Sequence, residues 1–147
     1  TWTEIMDINF MGTVRACQIF AQPMIARRYG RIIDIASLSA LAAFHEVAPY
    51  GASKAAVATL MQSLAIELAP YEITVNAIAP GIFPTQLNKT LSATPRGEEL
   101  LTRTPMKRFG SPEELVSTAV YLALQQTSFT TGQMISVDGG FLASGVN

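Results

Sequence analysis

Hydrophobic and polar positions along the chain change period several times, and each change marks an element. Across residues 3–28, Ile5, Ile8, Gly12, Ala16, Ile19 and Phe20 recur at three- and four-residue steps, which predicts an α-helix. Phe10, Val14, Cys17, Ala21 and Met24 form a second stripe, so this helix wants cover on two sides. Pro23 lies within the pattern and is expected to bend the helix or end its first part. Tyr29-Gly30 is read as the stop. Arg31-Ile32-Ile33-Asp34-Ile35-Ala36-Ser37 is short and nearly continuously apolar, the pattern of a strand buried on both faces in a parallel sheet. A loop of mostly small and apolar residues spans 38–48 and holds His45, a loop histidine of the kind that is usually incidental.

Pro49 suits a first helical turn, and the helix it opens runs over 49–69. Between residues 52 and 66 Lys54 is its only charge, and a helix this apolar is expected to be buried over most of its circumference. Residues 73–79 form the second strand, ended by Pro80-Gly81. Strand, helix, strand in this order predicts a right-handed parallel crossover. Residues 82–110 carry Pro84, Pro95, Gly97, Pro105 and Gly110, with helix possible only around 97–103. A connector of this length is commonly a lid or binding loop, and this one is expected to cover the substrate. Ser111-Pro112-Glu113-Glu114 is a capping box with proline at the first helical position, opening a helix to about Leu124. Gln133-Met134-Ile135-Ser136-Val137 is the third strand, closed by Asp138-Gly139-Gly140.

Composition sharpens this outline. The 147 residues fit one domain able to bury a core, and neither repeats nor low-complexity tracts divide it. Apolar residues make up 49% and charged residues 14%, against about 25% charged in an average domain. The surplus predicts apolar surface buried against something else. A formal net charge of -1 without a basic block argues against nucleic-acid or anionic-membrane partners. No apolar run reaches the roughly 18 residues of a spanning helix. Cys17 alone excludes an internal disulfide and fits a reducing compartment, so a cytoplasmic location is expected. The amino end, without Met or signal-peptide features, is read as the inside of a domain.

The candidate chemistry centres on Tyr50 and Lys54. Residues four apart on a helix share a face, so a phenol and an ammonium should project together at the helix mouth. A cation beside a phenol favours the phenolate, which makes the pair a proton donor and acceptor near neutral pH. Packing with the hydroxyl in water is the plain alternative. Ser37 and Ser39 stand at the carboxyl end of the first strand, where open α/β sheets place ligands. Asn9 is polar within an apolar helix, with a local backbone bond as its plain explanation.

Together these features resemble the short-chain dehydrogenase/reductase family. Ser37, Tyr50 thirteen residues on, and Lys54 match its catalytic Ser, Tyr and Lys, and Asn9 in Asp7-Ile8-Asn9-Phe10-Met11-Gly12 matches its fourth member. Val75-Asn76-Ala77-Ile78-Ala79-Pro80-Gly81 followed by Thr85 resembles the segment that faces the nicotinamide. Arg108-Phe109-Gly110-Ser111-Pro112-Glu113-Glu114, and the stretch from Thr131-Gly132 to Val137-Asp138-Gly139-Gly140, resemble the last helix and strand. The resemblance implies a Rossmann-like α/β fold, the last three strands of a doubly wound parallel sheet with their helices. It also implies an NAD(P)-dependent oxidoreductase acting between a carbonyl and a secondary alcohol. Tyr50 would exchange the proton, and Lys54 would hold the nicotinamide ribose and lower the Tyr50 pKa. Ser37 would orient the substrate oxygen, and Asn9 would hold a water behind Lys54. Backbone at Pro80, Gly81 and Ile82 and the Thr85 hydroxyl would fix the carboxamide of NAD or NADP.

The resemblance also implies that the Gly-rich pyrophosphate turn is absent from this sequence and that the first strand lacks a neighbour. An inactive, self-associating fragment is therefore the alternative from another class. The helices at 3–28 and 49–69 resemble those that pair across a subunit interface, implying a homodimer or homotetramer. Pro80-Gly81-Ile82-Phe83-Pro84-Thr85 and the ending Gly139-Gly140-Phe141-Leu142-Ala143-Ser144-Gly145 look similar to members acting on sugar acids or polyols, with 3-oxoacyl thioesters as the alternative small-molecule substrate. Of the lid cations Lys89, Arg96, Arg103, Lys107 and Arg108, most are expected to be solvated surface.

Overall fold

A computed structural model of the chain describes residues 1–86 and 90–144, apart from the Ser92 side chain. Lys89 and Gly145 lie outside the described residues. Three parallel strands, β1 (Gly30–Ile35), β2 (Ile73–Pro80) and β3 (Met134–Val137), lie in the order β1-β2-β3. Gly30 to Ile35 register with Ile73 to Ile78, and Ala77 to Pro80 with Met134 to Val137. Their carboxyl ends therefore finish side by side.

The amino-terminal helix forms because Thr1 and Glu4 close a capping box. It runs as α1 (Trp2–Met6), a π-helical turn at Asp7–Met11 and α2 (Gly12–Arg27). It continues through Pro23, since the carbonyl four residues back belongs to Ile19, on a solvent-facing side where water can take the lost bond. Its stop is Arg28, in the left-handed region at φ 52°, rather than Gly30. Gly30 instead opens β1, where a Cβ would come within 2.5 Å of the Met24 sulfur.

The core lies between β2 and the helices α2 and α3 (Ala48–Leu68). Ile73, Val75 and Ala77 pack on Met61, Ala65 and Leu68 of α3 and Ala21 of α2. Thr74, Asn76 and Ile78, on the other face of β2, are buried as well. α5 (Val116–Ala123) packs on β1 and β2 and buries Leu122. It follows a 3-10 turn at Pro112–Leu115 opened by the Ser111 and Glu114 capping box. Asn76 donates to the Thr130 carbonyl at 2.8 Å and accepts from the Gln133 amide at 3.0 Å, which ties the approach to β3 onto β2.

Two burial expectations fail in the same way. α3 buries one stripe, Ser53, Val57, Met61, Ala65 and Leu68, rather than most of its circumference, and Ile66 is 77% exposed. β1 is the sheet edge, paired on one side only, so Ile35 is exposed and Arg31 to Ile33 are half-buried. Of the two stripes on the first helix, the one with Cys17 and Ala21 faces the core, while Ile8, Ile19 and Phe20 of the other face out. Surface that the apolar composition marks for burial thus stands open on this chain.

The segment after β2 folds back on itself. Gly110 donates its amide to the Ile82 carbonyl at 2.9 Å, closing the base of a loop that carries α4 (Pro95–Arg103), capped by the Thr94 hydroxyl. The helix begins two residues earlier than the expected 97–103, because Pro95 takes the first position, where its missing N–H costs nothing.

Candidate active site

The site gathers where β1 and β2 end and α3 begins. Ser37, two residues beyond β1, caps a 3-10 turn at Leu38–Ala40, its hydroxyl accepting from the Ser39 amide at 3.2 Å. Gly51 on α3 comes close enough to the Ser39 carbonyl that a Cβ there would lie 3.4 Å away. This approach brings the first turn of α3, with Tyr50, up to the Ser37 turn. Lys54 reaches back from α3 and donates from Nζ to the Ile35 carbonyl at 2.8 Å, leaving Nζ 5.8 Å from the Tyr50 ring centre. Burial lowers the Lys54 pKa, and the nearby Asp34 carboxylate opposes that fall.

Asn9 sits in the π turn, a feature often found at functional sites. Its Nδ2 donates to Ser53 Oγ at 3.0 Å, and Ser53 Oγ donates to the Tyr50 carbonyl at 2.7 Å. The side chain therefore reaches another helix instead of its local backbone. The Asn9 carbonyl accepts the Thr13 hydroxyl at 2.9 Å. Ser53, fully buried, is the link that sequence reasoning missed; a small polar residue between Tyr50 and Lys54 on an apolar helix was its one signal.

A cavity of about 470 Å³ is lined by Ser37, Tyr50, Pro80, Gly81, Ile82 and Thr85 together, so six of the eight candidates share one space. Lys54 and Asn9 stand behind it. The Pro80-Gly81 turn is pinned by a Gly81 amide bond to the Val137 carbonyl at 2.8 Å. Only glycine fits there, since a Cβ would sit 2.8 Å from the Asp138 Cα. Phe83, Leu91, Leu100 and Leu115 add apolar walls, and Arg96 is the only charged side chain among the described lining residues.

The family model described as enoyl-(acyl carrier protein) reductase matches residues 1–142. The chain belongs to the short-chain dehydrogenase/reductase family. Similar family members include the NAD-dependent glycerol dehydrogenase of Listeria innocua, 39% identical over 140 residues, covering 95% of this chain and 55% of the relative. The 5-keto-D-gluconate 5-reductase of Escherichia coli K12 is 35% identical over 144 residues, covering 97% of this chain and 57% of the relative. Among solved structures, a gluconate 5-dehydrogenase from Burkholderia cenocepacia in complex with NADP and tartrate superposes with a TM-score of 0.95 at 37% identity, covering 98% of this chain and 57% of that one. The chain thus spans about half the length of the curated relatives it matches. The three-stranded sheet with its helices is correspondingly a part of the Rossmann-like family fold.

Most of the other candidates lie apart from this cavity. His45 is exposed and lines a different cavity, beside Arg96 and Phe141. Arg103 pairs with Glu99, and Arg108 makes a two-pronged pair with Glu114 that holds that carboxyl down at about 2. Lys107 donates to the Thr102 carbonyl. Arg96 alone of the described lid cations borders the Tyr50 cavity, while its guanidinium also donates to the His45 carbonyl at 2.9 Å and pairs with Glu46 at 3.7 Å. Among the described residues no group of three His, Cys, Asp or Glu could hold a metal, and no helix is long and apolar enough to cross a membrane.

Proposed function

We propose that this chain carries the catalytic portion of an NAD(P)-dependent oxidoreductase acting between a carbonyl and a secondary alcohol. The observation that carries this is the convergence of the Tyr50 and Ser37 side chains and the Pro80-Gly81 turn on one cavity, with Lys54 anchored on Ile35 behind Tyr50. The donor set fits the nicotinamide end of the cofactor: Lys54, the Pro80 to Ile82 backbone and Thr85 would hold it at the carboxyl ends of the strands. When bound, the nicotinamide supplies or accepts the hydride. Tyr50 gives its phenolic proton to the substrate oxygen, or takes one back from an alcohol. Ser37 donates to the same oxygen as charge develops on it. Asn9 steadies the first turn of α3 through Ser53, which keeps Tyr50 and Lys54 in register. The loop over 82–110, closed at its base, serves as the substrate lid.

Arg96 favours a sugar acid over a neutral polyol or a 3-oxoacyl thioester, because it is the one charged side chain among the described lining residues and its ion-pair partner Glu46, 3.7 Å away, is not among them. The names of the gluconate-directed relatives support that choice. The test is nicotinamide turnover by the protein carrying this chain, with NADH and NADPH, on 5-ketogluconate, dihydroxyacetone and a 3-oxoacyl thioester. Arg96→Gln should raise the KM for 5-ketogluconate by about 10-fold or more, the worth of one charged hydrogen bond, and leave dihydroxyacetone unchanged. No turnover of any carbonyl would overturn the activity. Equal effects on charged and neutral substrates would overturn the sugar-acid assignment alone.

The exposed apolar side chains Trp2, Ile8, Ile19 and Phe20 on the first helix and Ile66 on α3 support self-association through these two helices, as a homodimer or homotetramer. Light scattering at low micromolar concentration should give at least twice the mass of one chain. A stable monomer would contradict it.

A further inference from the structure

The proposed chemistry leaves one buried charge without a task. Asp34 lies in β1, where charged residues are disfavoured, and is only 8% exposed. Among the described residues its Oδ2 is the one buried side-chain polar atom with no hydrogen-bond partner. Asp34 pairs in register with Ala77, whose side chain belongs to the core between β2, α2 and α3. Side chains alternate across a strand, so the carboxylate faces the same helices. The next residue along, Ile35, offers the carbonyl on which Lys54 Nζ is seated. The carboxylate also lines a cavity of about 290 Å³ with Cys17, Thr13 and Phe20 of α2.

We propose that Asp34 is a positioning residue for Lys54: its buried carboxylate keeps the Lys54 ammonium protonated and held on the Ile35 carbonyl. This rests on the assignment of Lys54 to the site. The opposing tendencies are visible on both groups. Burial pushes the Asp34 carboxyl up to about 6 and Lys54 pulls it back; burial lowers Lys54 and Asp34 raises it. A lysine half-withdrawn from water on an apolar helix needs such a counter-charge, because one backbone carbonyl supplies a partial charge only. Above about pH 6 the carboxylate is ionised, so the support is present where a lysine must hold polar hydroxyls.

The charged and titratable groups around Asp34 are few. α2 presents Cys17, whose thiol is pushed up to about 11 by burial and then by Asp34, and α3 presents Lys54. Arg31, on the same strand, borders the same cavity. β2 carries no titratable side chain over its length. Asp7 and Arg15 of the first helix pair with each other in solvent, and Tyr121 of α5 shares its hydroxyl with Thr130.

The experiment is an NMR titration of the Lys54 ε-carbon in the full chain, with the signal assigned by its loss in Lys54→Arg. In the unmodified chain a second, smaller inflection is expected near pH 6, where Asp34 takes up its proton. Asp34→Asn should abolish that inflection and lower the Lys54 midpoint by about half a pH unit or more, the size expected when a nearby opposite charge is removed. Asp34→Glu should bring the midpoint back, and Cys17→Ser should leave the inflection near pH 6 in place. An unmoved midpoint in Asp34→Asn overturns the proposal. Should that variant fail to fold, a missing inflection in the unmodified chain overturns it instead. Neither readout depends on turnover, so failure here is distinct from failure of the proposed activity.

Discussion

Tyr50→Phe is expected to lower turnover by about 10²- to 10⁴-fold while substrate and cofactor affinities stay within a few fold. The substitution removes one oxygen atom. The ring keeps its place at the mouth of α3, because Ser53 holds the Tyr50 backbone carbonyl rather than its hydroxyl. The Lys54 anchorage on Ile35 is untouched as well. What disappears is the proton donor, on a wall whose remaining hydroxyl at the strand end, Ser37, is already shared with Ser39 Oγ at 3.3 Å. A loss confined to turnover marks a group used in the transition state and not in binding. Steady-state rates with a substrate found active, alongside circular dichroism to verify folding, decide the matter. An unchanged rate would sink the assignment of Tyr50.

The second large effect is on stability and has a definite pH dependence. The Asp34 carboxyl titrates at about 6 in the folded chain, against an ordinary 3.8, because burial penalises its ionised form. Between those values the folded state binds more protons than the unfolded one. Whatever the group contributes is therefore fully present below about pH 4 and is lost as the pH rises through 6. The corresponding cost at pH 7 is on the order of 3 kcal/mol, which is what remains after Lys54, as the counter-charge, has offset part of the burial penalty. Asp34→Asn keeps the shape and removes the ionisation. It should stabilise the chain at pH 7 to 8 by about 1–3 kcal/mol, with the gain shrinking toward zero at pH 4. Denaturant melts of both forms across that range measure it, and a gain independent of pH would show that ionisation is not its source. A residue that costs stability yet sits beside a candidate catalytic lysine has the profile of a functional charge.

Ser53 and Arg96 illustrate why part of the site was hidden from sequence reasoning. Ser53 has the composition of any small residue on an apolar helix, and its meaning comes from Asn9, 44 positions away. Arg96 is one of five cations in the lid, and nothing local separates it from Arg103 or Arg108. The fold of the lid places Arg96 on the cavity wall, paired with Glu46 from the loop before α3, and turns the other two toward Glu99 and Glu114 within the lid segment and its base. The stop at Arg28 was similarly out of reach, because Gly30 is required next door for the close approach of Met24.

By itself the sequence determined the order and type of the main elements, since three- and four-residue apolar steps, short continuous apolar runs and the signals at Pro49, Ser111 and Pro80-Gly81 act over a few residues. It also determined that Tyr50 and Lys54 share a helix face and that Ser37 stands at the carboxyl end of the first strand, two residues beyond its last paired position, because backbone geometry converts those spacings directly into direction. Tertiary structure alone decided how much of each apolar stripe is covered, with Ile8, Ile19, Phe20 and Ile66 exposed. It alone joined the Asn9 turn to α3 through Ser53, and seated Lys54 on Ile35 beside the unpartnered Asp34 carboxylate. Burial, hydrogen-bond partnership and charge coupling depend on distances between segments remote in the chain, and no local pattern encodes those distances.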